Sequence, residues 1–148
     1  MNKNQSLGLI AIAAFAVSYF LPAYDENRGF ACFAECWDVL FGHNGDILSG
    51  MWFYYSGFVI SNILFVVLVV ALFLTKKHRR FTSVLSVLFF LHVLSWLVLH
   101  VFPSPSQIAE LKVGYYVWLV AYGLLAAAHL RKESTESPGL IDVAHSGA

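Results

Sequence analysis

Charge is what this 148-residue sequence lacks. Asp, Glu, Lys and Arg make up 12% of it, about half of the roughly 25% usual in soluble domains. None of them falls within four long apolar runs, 7–24, 51–74, 81–102 and 113–130. Helices of soluble proteins keep a polar face, so this absence excludes an ordinary soluble helical domain. The net formal charge is zero, which leaves no global field to steer the chain to nucleic acid or acidic substrates. Also missing are a phosphate-cradling glycine loop, a serine-nucleophile motif and a metalloprotease motif. No catalytic residue, metal or cofactor is therefore expected. The lack of Asp, Glu, Lys and Arg inside the runs also argues against an ion-coupled transporter, which usually needs such groups there.

What is present is apolar and aromatic, with 59% hydrophobic residues and 13 Phe, 7 Tyr and 4 Trp. Each run reaches or approaches the 17–25 residues needed to cross a hydrocarbon core of about 30 Å. The expected fold is all-α, an integral membrane bundle of four transmembrane helices occupying residues 1–132. A polar tail over 133–148, with Pro138 and Gly139, reads as disordered. If the spans alternate, Lys3, Lys76, Lys77, Arg79, Arg80, Arg131 and Lys132 fall on one side and only Arg28 and Lys112 on the other. The positive-inside rule makes the first side cytoplasmic, with both termini there, as in a bacterial inner membrane. Lys3 followed by an apolar run also suits a signal peptide. Leu21-Pro22-Ala23 is a poor cleavage site, so an uncleaved anchor is expected.

The long loop 25–50 lies on the outer side. Within it Phe30, Phe33, Ala34, Trp37, Leu40 and Phe41 recur at helical spacing, with Glu35 and Asp38 between them. This predicts a short amphipathic helix on the outer membrane surface. Gly42, Asn44 and Gly45 should end it. The second and third spans are joined only by Thr75 to Arg80, which predicts an antiparallel hairpin. Ser104, Pro105 and Gln107 have the order of an N-cap, a first helical position and a capping box. The fourth helix should begin there and continue inward past Gly123.

The candidate chemistry is sparse. Cys32 and Cys36, the only cysteines, form a candidate disulfide or redox pair on the outer side. On a helix their Cβ atoms would lie about 5–6 Å apart, wider than the roughly 3.5–4.5 Å of a disulfide. Either the segment leaves helix and the cysteines pair, or it stays helical and they are free thiols. The layout is similar to that of four-helix membrane oxidoreductases that form disulfides, which also place a cysteine pair after the first helix. Those pairs have two intervening residues rather than three. They are matched by a second pair in the later outer loop, where residues 103–112 hold no cysteine. The likeness is one of topology alone.

Counting helix rise from the inner boundary, His92 lies about 16 Å deep, and Asn62 and Tyr19 about 18 Å deep. Lipid offers such groups no partners, so Tyr19, Asn62 and His92 are expected to form an intramembrane polar layer, with Asn62 bonded to His92. Tyr55 and His100, both at about 28 Å, would form an outer rung. Lys76, Lys77, Arg79 and Arg80 suit anionic lipid headgroups.

The expected partners are the lipid bilayer and either a membrane protein or a second copy of the chain, with no nucleic acid. The leading reading is a non-enzymatic protein acting by interaction, of accessory, regulatory or immunity type. The alternatives are a thiol-redox protein using Cys32 and Cys36, and a small-molecule or proton carrier centred on His92. The charge asymmetry makes one prediction directly: a phosphatase reporter that works only outside the cytoplasm, fused after Ala148, is expected to be inactive, and activity there would reverse the topology.

Overall fold

The computed structural model describes residues 3–41, 50–74, 79–98 and 105–131. The chain is mostly helical. In order, the elements are α1 (Lys3–Ser18), β1 (Pro22–Tyr24), β2 (Asn27–Arg28), α2 (Gly29–Phe41), α3 (Gly50–Leu74), α4 (Arg79–Trp96), α5 (Pro105–Glu110) and α6 (Val113–Leu130). Among the described residues, two stretches, Trp52–Leu74 and Val113–Leu130, are long and apolar enough to cross a membrane. The expected outer helix corresponds to α2, and the expected break between the second and third spans lies between α3 and α4. Residues 75–78, the turn at Gly42, Asn44 and Gly45, and the tail from Lys132 lie outside the described residues.

Two expectations need correction. The first helix does not run over 7–24: it starts earlier, at Lys3, and stops at Ser18. Pro22 has no N–H, and the residue before it disfavours helix. The last turns tighten, with Tyr19 N donating to Ala16 O and Phe20 N to Val17 O. The chain then forms an antiparallel hairpin in which Tyr24 opposes Asn27. Asp25 takes the left-handed φ of 50° in its turn, a conformation Asp tolerates better than most residues. A small sheet is thus added to the all-α expectation.

The fourth helix, likewise, is not continuous from Pro105. It breaks at Leu111-Lys112, where Lys112 is extended and Leu111 bridges to Tyr24. Lys112 N donates to Ala23 O, and Asp25 N to Glu110 O. The hairpin therefore takes up backbone groups that a continuous helix would have used internally.

The most extensive packing is between α1 and α6. The buried face of α1 carries Asn4, Gly8, Ala11 and Ser18; that of α6 includes Gly114, Ala121, Leu125 and Ala128. Small residues such as Ala11, Ala121 and Ala128 let two backbones approach closely, whereas Gly8 makes room for Leu72 of α3 and Gly114 for the Leu21 and Pro22 carbonyls. The pair is antiparallel. Asn4 Nδ2 donates to Arg131 O at 3.1 Å, while a Cβ at Gly114 would lie 2.6 Å from Pro22 O. Both ends of the described chain therefore share one end of the bundle, here called the terminal end, and the hairpin closes the other.

Between these ends, Phe15 stacks on Phe65 at 4.1 Å and Tyr122 closes on Phe65 at 5.0 Å. At the terminal end His129 is buried and its Nε2 donates to Leu68 O at 3.2 Å. Ser83 Oγ donates to His129 O at 2.9 Å. One residue of α6 is thus tied to both α3 and α4.

The glycines make a contrast that can be measured. Gly114→Ala places a methyl group against the Leu21 and Pro22 carbonyls. It is expected to cost about 1–3 kcal/mol of stability. Gly123→Ala meets only the Phe90 ring edge, at 3.4 Å, and is expected to be neutral or to raise the thermal midpoint through better helix propensity. Equal midpoints in detergent would show that the α6–β1 approach does not matter.

Candidate functional site

At the hairpin end, α2 packs across α3 and covers a cavity of about 360 Å³. That volume is within the roughly 300–1,000 Å³ common for small-molecule sites. Gly29 lets α2 begin close to α1, since a Cβ there would lie 2.5 Å from Ser18 O. The roof is the inner face of α2, with Cys32, Phe33 and Cys36. Tyr19, Ala23 and Tyr24 line one wall, Tyr55, Phe58 and Asn62 another, and Trp96, Tyr115 and Trp118 a third. Glu35 stands at the rim, exposed, with Asn27 Nδ2 donating to its Oε1 at 3.4 Å.

The walls are braced from behind. Trp118 Nε1 donates to Asn62 Oδ1 at 3.0 Å, joining α6 to α3. Asn62 Nδ2 donates to Phe58 O at 2.9 Å. Tyr115 donates its hydroxyl hydrogen to Val93 O at 3.0 Å, joining α6 to α4. The Tyr24 hydroxyl donates to the Glu110 carboxylate.

The structure does not assemble the expected Tyr19–Asn62–His92 layer. Tyr19 and Asn62 do line one cavity, but His92 is outside it. Its ring sits over Gly57, where any Cβ would collide with the imidazole. It stacks on Tyr54 at 5.9 Å and lies 5.5 Å from Phe58. The buried Nε2 of His92 has no hydrogen-bond partner among the described residues. Equal distance from the connector had placed His92 opposite Asn62. The ring instead meets a position five residues away, about 7.5 Å along α3. Gly57 is where the imidazole fits, and α4 packs more on α6 than on α3, so the hairpin count does not fix its register.

Tyr55 lines the cavity; His100, its expected companion, lies outside the described residues, as do Lys76 and Lys77. Arg79 opens α4 and Arg80 is exposed. Among the described residues no group of His, Cys, Asp and Glu could hold a metal ion.

Cys32 and Cys36 sit on helical α2 as free thiols. Burial pushes the Cys36 thiol up to about 12, with Cys32 and the Glu35 carboxylate adding to the effect. Burial and then Glu35 also raise Cys32, partly offset by backbone hydrogen bonds. Reactive cysteines show the opposite trend, since the thiolate is the nucleophile.

Tyr24, Phe58, Trp96, Tyr115 and Trp118 line the site without having been singled out from sequence. Tyr115 and Trp118 fall three residues apart on one face of α6, and Tyr122, four further on and outside the lining, continues a periodicity that marks an inward aromatic stripe. Glu35 was read only as a surface acid. No known protein family, curated protein or solved structure matches the chain.

The site yields two expectations. Alkylation of Cys36 by iodoacetamide should keep rising with pH beyond about 10, where an ordinary thiol of pKa about 8.5 has levelled off; a plateau near pH 9 would contradict the burial described. Asn62→Leu leaves the Trp118 indole N–H without its acceptor and should lower stability by about 0.6–2 kcal/mol, read as a lower thermal midpoint with a shifted tryptophan emission.

Proposed function

We propose that the chain is a four-helix integral membrane protein, spanned by α1, α3, α4 and α6 with both termini cytoplasmic. On this reading it acts by reversible binding rather than by covalent chemistry. All four helices carry large apolar side chains on their outer surfaces, among them Ile10 and Val17, Ile63 and Val70, Val84 and Leu88, and Val113 and Val120. A hydrocarbon solvent accommodates that girdle, whereas water penalises it. As described, α1 is 16 and α4 is 18 residues long, about 24 and 27 Å at helical rise, close to a core of about 30 Å.

The observation that carries the functional reading is the cavity beneath α2. It is aromatic, lies on the outer side in this topology and is framed by three helices braced through Asn62, Tyr115 and Trp118. Such a site suits an accessory or regulatory membrane protein that takes up a small molecule from the outer leaflet or the medium beyond it. The exposed Phe30, Trp37 and Phe41 of α2 fall on one face, suited to lying in the headgroup region or against another membrane protein. The thiol-redox alternative draws little support, because both thiols are held protonated. The carrier alternative loses its anchor, because His92 does not reach the cavity.

Native mass spectrometry of the detergent-purified protein is expected to show a retained small molecule. Cys32→Phe, which fills the cavity from its roof, should lose that molecule, whereas the Cys32→Ser, Cys36→Ser double variant should keep it. Bare polypeptide mass for the unaltered protein, or retention in Cys32→Phe, would contradict the binding reading.

A further inference from the structure

We propose that the cavity beneath α2 is an aromatic cage for an organic cation, an ammonium carrying alkyl groups. This inference rests on the binding reading above and adds the chemistry of the ligand. Tyr19, Tyr55, Phe58, Trp96, Tyr115 and Trp118 surround the space. The face of each ring is the negative pole of a quadrupole, and Trp has the strongest attraction for a cation. An alkylated ammonium offers the matching surface: its charge is spread over methyl or methylene groups that need no hydrogen-bond partner.

Charge complementarity points the same way. The Glu35 carboxylate is the only formally charged group in the lining; among the described residues, no Lys, Arg or His contributes to it. A second carboxylate, Glu110, is coupled to the wall through the Tyr24 hydroxyl. Two cations of the described residues at this end, Arg28 and Lys112, are not in the lining. Arg28 is on exposed β2, and Lys112 turns its Nζ to Ala109 O at 2.9 Å. An anion would enter past carboxylates and find no positive side chain among the described residues of the lining. A neutral apolar molecule would gain nothing from Glu35. The volume of about 360 Å³ holds a choline-sized ammonium with room for an apolar substituent. A soluble organic ammonium and the ammonium headgroup of a membrane lipid share this chemistry.

The test uses the full chain in an uncharged maltoside detergent, with binding followed by equilibrium dialysis. The probes are choline and its uncharged carbon isostere, dimethylbutanol. Choline is expected to bind about tenfold more tightly than the isostere, a ratio in the range of cation–π attraction. Glu35→Gln, an exposed and nearly isosteric change, should weaken choline binding about threefold to tenfold and leave the isostere unmoved. Equal affinity for the two probes, or an unaltered choline affinity in Glu35→Gln, would overturn the cation assignment while leaving the cavity a binding site. No binding of either probe would overturn both. Phosphatidylcholine nanodiscs separate the sources. Weaker choline binding there than in detergent, with phosphatidylcholine retained in native mass spectra, identifies the headgroup; unchanged binding identifies a soluble ammonium.

Discussion

The architecture depends on the close approach of two backbones, those of α1 and α6. Ala11 on one side, with Ala121 and Ala128 on the other, all fully buried, keep the side chains between the helices small. On the membrane reading proposed above, the hydrophobic effect does not drive helices together, so dispersion over such a contact and a few interhelical hydrogen bonds must do so. The contact is pinned at the terminal end by Asn4 and Arg131 and at the other by Pro22 against Gly114. Because α1 stops at Ser18, the chain is free to form the hairpin and to lay α2 across α3. The cavity is the space left beneath that crossing.

Its walls are held open by polar bonds that its aromatic rings could not supply. Trp118 to Asn62 and Tyr115 to Val93 each fix a large ring by its polar tip, leaving ring surface to line the space. Buried Tyr and Trp usually need such partners. At the terminal end His129 is used in the same way, its ring on Leu68 O and its carbonyl accepting from Ser83. His92 differs. It is seated by shape over Gly57, with Nε2 unpartnered among the described residues.

The elements with strong, single-period patterns were legible in the sequence. The apolar runs became α3, α4 and α6, and the Phe30–Phe41 stripe became α2. Where local signals competed with tertiary ones the reading failed. Pro22 cannot continue a helix, but the hairpin after it depends on Leu111 and Lys112, nearly ninety positions away in sequence and visible only once α1 and α6 are paired. Pro105 does open α5, yet nothing local to it reveals that β1 would interrupt the helix at Lys112. Depth counting brought Tyr19 and Asn62 to a common cavity but misplaced His92. Counting fixes height along a helix, whereas the seat of a ring depends on which position opposite it lacks a side chain. Trp118 and Tyr115 could have been found from the spacing of aromatics on the fourth span.

The most direct test of the account is whether residues 4 and 131 meet within one chain. Asn4→Cys and Arg131→Cys, introduced together with Cys32 and Cys36 replaced by Ser, should be joined within the chain by mild oxidation or a short thiol cross-linker. Each single cysteine should give no such product. A double variant that resists cross-linking, or that joins only chain to chain, would contradict the antiparallel α1–α6 contact from which the cavity follows.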